Sequence, residues 1–120
     1  MVTVSTMARS SSSRDISFET DFGSARIRWD GPRATLFLDG VESSAVDTSD
    51  PTYLEFEYMQ HMSAVVAAAW GQGDRFRALH VGGAACALAC AWSAAFPQSR
   101  HVAVEVDRLL AEQVREHFPI

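Results

Sequence analysis

Apolar and polar residues alternate in two short stretches in the first half of the chain. Residues 25–29 alternate as in a half-buried strand, and the β-prone run 34–38 follows the turn residues Asp30-Gly31-Pro32. The pattern predicts a β-hairpin inside a β-rich segment that spans residues 18–50. Residues 42–49 carry too little apolar material for a core, which predicts a loop or a short edge strand there.

The apolar periodicity then changes to steps of three and four residues. Asp50-Pro51 predicts a helix start, because Asp can cap free amides and Pro at the first helical position has no amide hydrogen to satisfy. The following positions predict one apolar helix face: Leu54, Tyr58, Met62, Val65 and Ala69. Gly71-Gln72-Gly73 predicts the end of this helix.

The last 45 or so residues read as alternating strands and helices. A strand at 76–81 leads into Gly82-Gly83 and an Ala-rich helix at 84–96, which is apolar all round as expected for burial on both sides. A second strand at 101–105 is followed by a helix that Asp107 caps and that runs to His117. The predicted fold is α/β, with an N-terminal β-hairpin and helix before an incomplete Rossmann-like βαβα unit; residues 51–120 form this nucleotide-binding half.

Composition excludes several classes of function. The net charge is -5, and the cations are arginines spread singly along the chain, so neither a nucleic-acid stripe nor a polybasic membrane patch is present. No apolar run approaches the roughly 20 residues that cross a bilayer. The Ser-rich residues 1–17 predict a disordered leader, not a secretory signal. Cys86 and Cys90 lie four apart in one predicted helix, which favours a reducing, cytoplasmic setting.

The glycine turn and the acid after the second strand suggest a ligand site. Glycine lets the backbone approach a ligand, and Gly82 and Gly83 stand where a helix N-terminus presents its amides. Glu105 follows Gly82 by about 20 positions, the spacing at which a carboxylate accepts the hydroxyls of a ribose. Two glycines and an acid also occur in βαβ units that bind nothing, so the structural interpretation stays open.

Four motifs together resemble the polyamine synthase (spermidine synthase-like) family, in order and approximate spacing, over about 95 residues. They are Leu-Phe-Leu-Asp-Gly-Val at 36–41, Asp-Pro-Thr-Tyr-Leu-Glu-Phe-Glu-Tyr at 50–58, Gly82-Gly83, and Val-Glu-Val-Asp at 104–107. The resemblance implies a small β-rich part before a class I methyltransferase-like domain, which transfers an aminopropyl group from decarboxylated S-adenosylmethionine to a diamine.

The resemblance also implies roles for particular residues. Gly82, Gly83, Glu105 and Asp107 would contact decarboxylated S-adenosylmethionine or S-adenosylmethionine, with Glu105 on the ribose. Tyr53 and Glu55, which belong to the 50–58 motif, would lie next to the substrate pocket.

The chain departs from the family pattern at several positions. Ala84, Ala85 and Cys86 stand where the family has further glycines and an acid. The family's Gln falls near Glu42 or Ser43, and its His is Leu54. The catalytic carboxylates of the family follow a later strand than any in these 120 residues. No catalytic residue is therefore assigned, and the chain is expected to be an inactive or partial spermidine synthase-like protein.

Competing interpretations apply to the remaining candidates. A non-catalytic interaction module is the alternative function, because an incomplete sheet leaves strand edges and apolar helix faces that favour homo-oligomerisation or a missing C-terminal half. His80 is interpreted as a core histidine in preference to a ligand. Cys86 and Cys90 are interpreted as packing residues, and Met62 as part of the apolar helix face beside Met59 and His61, so no metal site is predicted.

Overall fold

A computed structural model describes residues 13–118 and 120 of the chain. Six strands and three helices follow one another in this part. The strands are β1 (Ser13–Glu19), β2 (Ser24–Asp30), β3 (Arg33–Leu38), β4 (Val41–Asp47), β5 (Arg77–Val81) and β6 (Arg100–Val104). The helices are α1 (Glu57–Ala69), α2 (Ala87–Ala95) and α3 (Arg108–His117).

Strands β1 to β4 form one antiparallel sheet in sequential order. The predicted hairpin is confirmed as β2 and β3, which pair from Ala25 opposite Leu38 to Asp30 opposite Arg33. The hairpin is nevertheless only half of the sheet. The leader predicted over residues 1–17 is wrong for 13–17, because these residues pair along β2; residues 1–12 lie outside the described part. Of the two alternatives for 42–49, the edge strand is correct, since β4 borders the sheet.

The hydrophobic core joins this sheet to the C-terminal helix. One face of β2 and β3 contributes side chains that are almost fully buried, and α3 packs its apolar stripe against them. These members are Ala25, Ile27, Ala34, Leu36, Leu110 and Val114; Ala85 from the turn after β5 and Phe118, directly after α3, complete the cluster. Helix α3 therefore covers the antiparallel sheet, and its burial links the two halves of the chain.

Helix α1 begins six residues later than predicted and buries little. Asp50 does not cap a helix; its carboxylate accepts from the backbone and hydroxyl of Thr52 and closes a local turn. The helix starts at Glu57 after an N-cap, Phe56, that makes no side-chain cap bond. The predicted apolar face of α1 is largely exposed, with Tyr58 57% and Val65 70% accessible.

Strands β5 and β6 pair in parallel, as the βαβ pattern predicts, from Arg77 opposite Arg100 to Val81 opposite Val104. Helix α2 connects them but begins at Ala87, three residues later than predicted, because residues 84–86 form an irregular turn. The prediction that α2 is buried on both sides is also wrong, since only Ala87, Ala91 and Trp92 of this helix are buried.

No helix in the described residues is long and apolar enough to cross a membrane.

Candidate functional site

The turn after β5 has a backbone conformation that calls for glycine. Gly82 has φ +93°, a region that residues with a Cβ rarely adopt, although a Cβ built there would meet no atom within 4 Å. Its amide donates to the carbonyl of Val104 over 2.7 Å, which continues the β5–β6 ladder into the turn. The glycine is therefore needed for the path of the chain, and the space beside it is open.

The next residues keep a left-handed backbone without glycine. Ala84 has φ 46° and Cys86 has φ 58°, and Cys86 is the N-cap of α2 without a side-chain cap bond. A left-handed conformation is unfavourable by roughly 1–2 kcal/mol for a residue with a Cβ. The turn thus retains a glycine-like backbone at two positions where the sequence has alanine and cysteine.

Glu105 lies directly after β6 and fastens this turn. Its Oε1 accepts from the amides of Gly83 and Ala84, each over 3.1 Å, and its Oε2 accepts from the amide of Asp107 over 3.1 Å. Partial burial raises the pKa of Glu105, but the amides of Asp107, Ala84 and Gly83 outweigh burial and hold the pKa below its usual value. The carboxylate is therefore ionised at neutral pH, and its Oε2 keeps one unused lone pair.

Asp107 joins helix α3 to the antiparallel sheet. As predicted, it caps α3, its Oδ1 accepting from the amide of Leu110 over 2.9 Å. The same carboxylate accepts from the amides of Asp21 and Phe22 in the β1–β2 turn. Asp21 reciprocates, because its Oδ2 accepts from the amides of Arg108 and Leu109. We call these two carboxylates and their amide partners the aspartate clasp.

Within the aspartate clasp, Asp107 is almost fully buried and has a structural role. Only 6% of the residue is accessible. Burial raises the pKa of Asp107, but its amide donors, among them Asp21 and Leu110, outweigh burial and lower it. The amides of Asp21, Phe22 and Leu110 and the side chain of Thr20 all hydrogen-bond to this carboxylate. A role for Asp107 in cofactor binding stays a prediction.

A cavity of about 480 Å³ opens beside the turn. Its walls come from β4, α1, β5, the turn, α2 and β6. Residues that line it include Ser43, Tyr58, Met62, His80, Gly82, Gly83 and Trp92. No Asp or Glu is among the described residues that line it, and Glu105 reaches it only through its bonds to the amides of Gly83 and Ala84.

The structure places Tyr53 and Glu55 away from this cavity. Tyr53 lines a second cavity of about 260 Å³, between β4, α2 and the end of the chain, and its ring is covered by the Arg33 guanidinium at 4.3 Å. Glu55 is exposed and makes no side-chain hydrogen bond or ion pair within residues 13–118 and 120. Gly82, Gly83 and Glu105 are brought together; Tyr53 and Glu55 do not join them.

A group of imidazole and indole rings lies on the α2 side of the parallel strands, and it was not predicted from the sequence. His80 Nε2 lies 3.1 Å from Nδ1 of His101, and His101 Nε2 lies 2.7 Å from Oγ of Ser99. Trp92 contacts both imidazole rings and donates its Nε1 hydrogen to Ser63 Oγ over 2.7 Å. The parallel register pairs His101 with Ala78, so that His80 lies two residues further along β5 and on the same face of the sheet. Two isolated strand patterns do not reveal this proximity.

The cysteines form no disulfide and carry protonated thiols at neutral pH. Both are half-buried, and burial raises the pKa of Cys86 and of Cys90. No group of three or more His, Cys, Asp or Glu that could hold a metal ion occurs in the part that the structure describes.

These features define an α/β protein with a glycine turn and an acidic residue at the carboxyl ends of two adjacent parallel strands. Among solved structures, the chain is similar to a probable spermidine synthase from Corynebacterium glutamicum, with 30% identity and a TM-score of 0.76. The match covers 87% of this chain and 40% of that one, so the chain spans less than half of that protein's length. No protein-family model and no curated protein matches. The chain has the fold of part of a spermidine synthase-like domain.

Proposed function

We propose that the chain is the cofactor-binding part of a spermidine synthase-like aminopropyl or methyl transferase, with a class I methyltransferase-like nucleotide site. The observation that carries the proposal is the Glu105 carboxylate held on the amides of Gly83 and Ala84 at the ends of β5 and β6. In this class of fold, ligands bind outside the carboxyl ends of the strands. The similarity to the probable spermidine synthase supports the assignment.

The residues at the turn fit an adenosine-type cofactor in three respects. The cavity beside Gly82 and Gly83, at about 480 Å³, lies within the range of ligand pockets, about 300–1,000 Å³. The space next to Gly82 is open, so the backbone can be approached closely. Glu105 is ionised and retains a lone pair on Oε2 for a ribose hydroxyl.

The proposed division of labour follows from the lining of the cavity. Gly82 and Gly83, which line the cavity, and Glu105, which is bonded to the turn amides beside it, would hold decarboxylated S-adenosylmethionine or S-adenosylmethionine. The sulfonium of that cofactor would supply the group to be transferred. Proton removal from an amine acceptor needs a positioned base, and the described lining of the cavity contains no carboxylate. Residues 1–120 are therefore proposed to bind a nucleoside without turning over a diamine. Tyr53 and Glu55 remain proposed acceptor-side residues, on the resemblance alone.

Binding can be tested by titration calorimetry with 5'-methylthioadenosine and S-adenosylmethionine. Gly82→Ala should weaken binding at least tenfold, because alanine disfavours φ +93° and moves the turn. Gly73→Ala is the matched control, since a Cβ there meets no atom within 4 Å and no positive φ is required. Absence of binding by the unmodified chain, or equal affinities for the unmodified chain and Gly82→Ala, would refute the proposal.

A second candidate function is an association module that pairs with a second copy of the chain. Its support is the apolar outer face of the parallel strands, where Leu79 is 65%, Val81 86% and Val102 61% accessible. Parallel sheets are normally covered on both faces. Leu79→Lys should then abolish a concentration-dependent dimer in sedimentation velocity. Val41→Lys, on a 68% accessible valine of β4, is the matched control. A compact monomer at all concentrations would refute this candidate.

A further inference from the structure

The hydrogen-bond chain through His80, His101 and Ser99 has a defined direction. Ser99 Oγ is 2.6 Å from the carbonyl of Phe96, which can only accept, so the hydroxyl hydrogen is donated there. Ser99 Oγ must then accept from His101 Nε2, which leaves His101 Nδ1 without hydrogen. His101 Nδ1 in turn accepts from His80 Nε2. When both imidazoles are neutral, each is therefore in the Nε2–H form, and the Ser99 hydroxyl hydrogen is already donated to the Phe96 carbonyl.

These hydrogen bonds connect the secondary-structure elements that support the candidate cofactor turn. His80 is on β5, two residues before Gly82, and His101 is on β6, four residues before Glu105. Ser99 and the Phe96 carbonyl belong to the segment between α2 and β6. Trp92 packs on both imidazoles from α2 and bonds to Ser63 of α1. Through Trp92, the two imidazoles therefore contact α2 directly and are connected to α1 by one further hydrogen bond.

The direction of these hydrogen bonds determines where protons can bind as the pH falls. A first proton can bind to His80 Nδ1, which takes no part in the hydrogen bonds, so all three hydrogen bonds remain in place. A second proton has to enter at His101 Nδ1, where it faces the hydrogen on His80 Nε2. Two donors then point at each other 3.1 Å apart, and the bond between β5 and β6 side chains is lost.

No Asp or Glu is among the described residues that line the cavities beside the two imidazoles; Ile120, the last residue of the sequence, lines the cavity at His101. Helix α1 presents Ser63, the loop presents Ser99, and Phe76 lies edge-on to His101. Helix α2 presents Trp92, and Cys86 and Cys90 line the cavity beside His101 as neutral thiols, because burial raises the pKa of each. No carboxylate lies within ion-pair distance of either imidazole among the described residues. Partial burial lowers the pKa of both histidines, and in His101 the charge of His80 lowers it further.

We propose that His80, His101 and Ser99 form an acid-sensitive latch that fastens α1 and α2 to the parallel strands and opens when both imidazoles are protonated. The latch rests on these contacts and not on the proposed cofactor function. Because the folded pKa lies below the ordinary 6.5, its stability is complete above pH 6.5 and is lost as pH falls through the folded pKa. Between pH 6.5 and the folded pKa, the folding equilibrium constant should fall about tenfold per pH unit for each imidazole that remains neutral in the folded state.

The test compares urea unfolding of the full chain at pH 7.5 and pH 5.0 with that of two variants. His101→Gln keeps an acceptor and a donor on one side chain but cannot titrate, so it should lose most of the pH dependence. His61→Gln, on an exposed histidine of α1, is the matched control and should keep the whole of it. Equal pH dependence for His101→Gln and the unmodified chain would overturn the latch.

A spectroscopic measurement covers the case in which His101→Gln does not fold. Nitrogen-15 correlation spectra of the unmodified chain should show both His80 and His101 in the Nε2–H form at pH 7.5. Their titration midpoints should lie below the ordinary histidine value of 6.5, and the later of the two should coincide with a change in Trp92 indole chemical shift. An Nδ1–H form of His101 at pH 7.5, or midpoints at or above 6.5 for both histidines, would overturn the proposal.

Discussion

Replacing Glu105 with glutamine should test how the candidate site is held together. The carboxylate accepts three backbone amides, two on Oε1 and one on Oε2, all at 3.1 Å. Glutamine can keep the pair from Gly83 and Ala84, but its amino group then faces the amide hydrogen of Asp107. A bond to a charged acceptor contributes about 1.5–3 kcal/mol and a neutral one about 0.5–1.5. Allowing for partial exposure, we expect Glu105→Gln to destabilise the fold by about 2 kcal/mol.

Urea unfolding followed by circular dichroism measures this effect. A loss of about 2 kcal/mol should lower the midpoint by about 1 M urea. Glu116→Gln removes a charge from an exposed position on α3 and is the control, which should stay within about 0.5 kcal/mol of the unmodified chain. If Glu105→Gln also stays within that range, the turn is not fastened by the carboxylate and the reasoning fails.

The same variant separates the structural role of Glu105 from a role on ribose. The pKa of Glu105 is lowered in the folded chain, so its contribution is present above the ordinary pKa of about 4.5 and is lost as pH falls through the folded value. The glutamine variant should not show this acid loss. If the carboxylate also binds ribose, titration calorimetry should show at least tenfold weaker binding of 5'-methylthioadenosine by folded Glu105→Gln. Equal affinities would eliminate the ribose role and leave the structural one.

Three further outcomes are expected. Ala84→Gly should raise the unfolding free energy by up to about 1 kcal/mol, because glycine adopts a φ of 46° without strain. Ala89→Gly, inside α2, should instead lower the unfolding free energy by about 1 kcal/mol. A change of the same sign for both variants would contradict the strain in the turn. Asp107→Ala should lower the unfolding free energy by about 3 kcal/mol, through loss of the α3 cap and of partners for two further amides, and a loss below about 1 kcal/mol in urea unfolding would show that the aspartate clasp is unimportant. Chromatographic assay of residues 1–120 with putrescine and decarboxylated S-adenosylmethionine should show no spermidine, since no carboxylate lines the described cavity; protein-dependent product would refute this.

Local sequence signals determined the elements whose causes lie within a few residues. The turn residues 30–32 set the β2–β3 hairpin, because Gly31 can adopt its φ of 60° without strain and Pro32 fixes its own φ. The β5, α2 and β6 elements and the Asp107 cap also follow from short patterns. The prediction of a helix start at Asp50 was wrong for a related reason: the side chain of Asp closes a turn with Thr52 as readily as it caps a helix.

Tertiary structure decided the features that depend on residues distant in the chain. The sequence allowed Glu105 as a ribose ligand, but its bonds to the turn amides exist only because β6 lies parallel to β5. The aspartate clasp connects positions 86 apart, and no periodicity reports such a pair. The contact of His80 with His101 likewise needs the register of the two strands. Local propensity acts through neighbouring backbone, whereas these carboxylates and imidazoles take their roles from donors that only the folded chain brings within 3 Å or so.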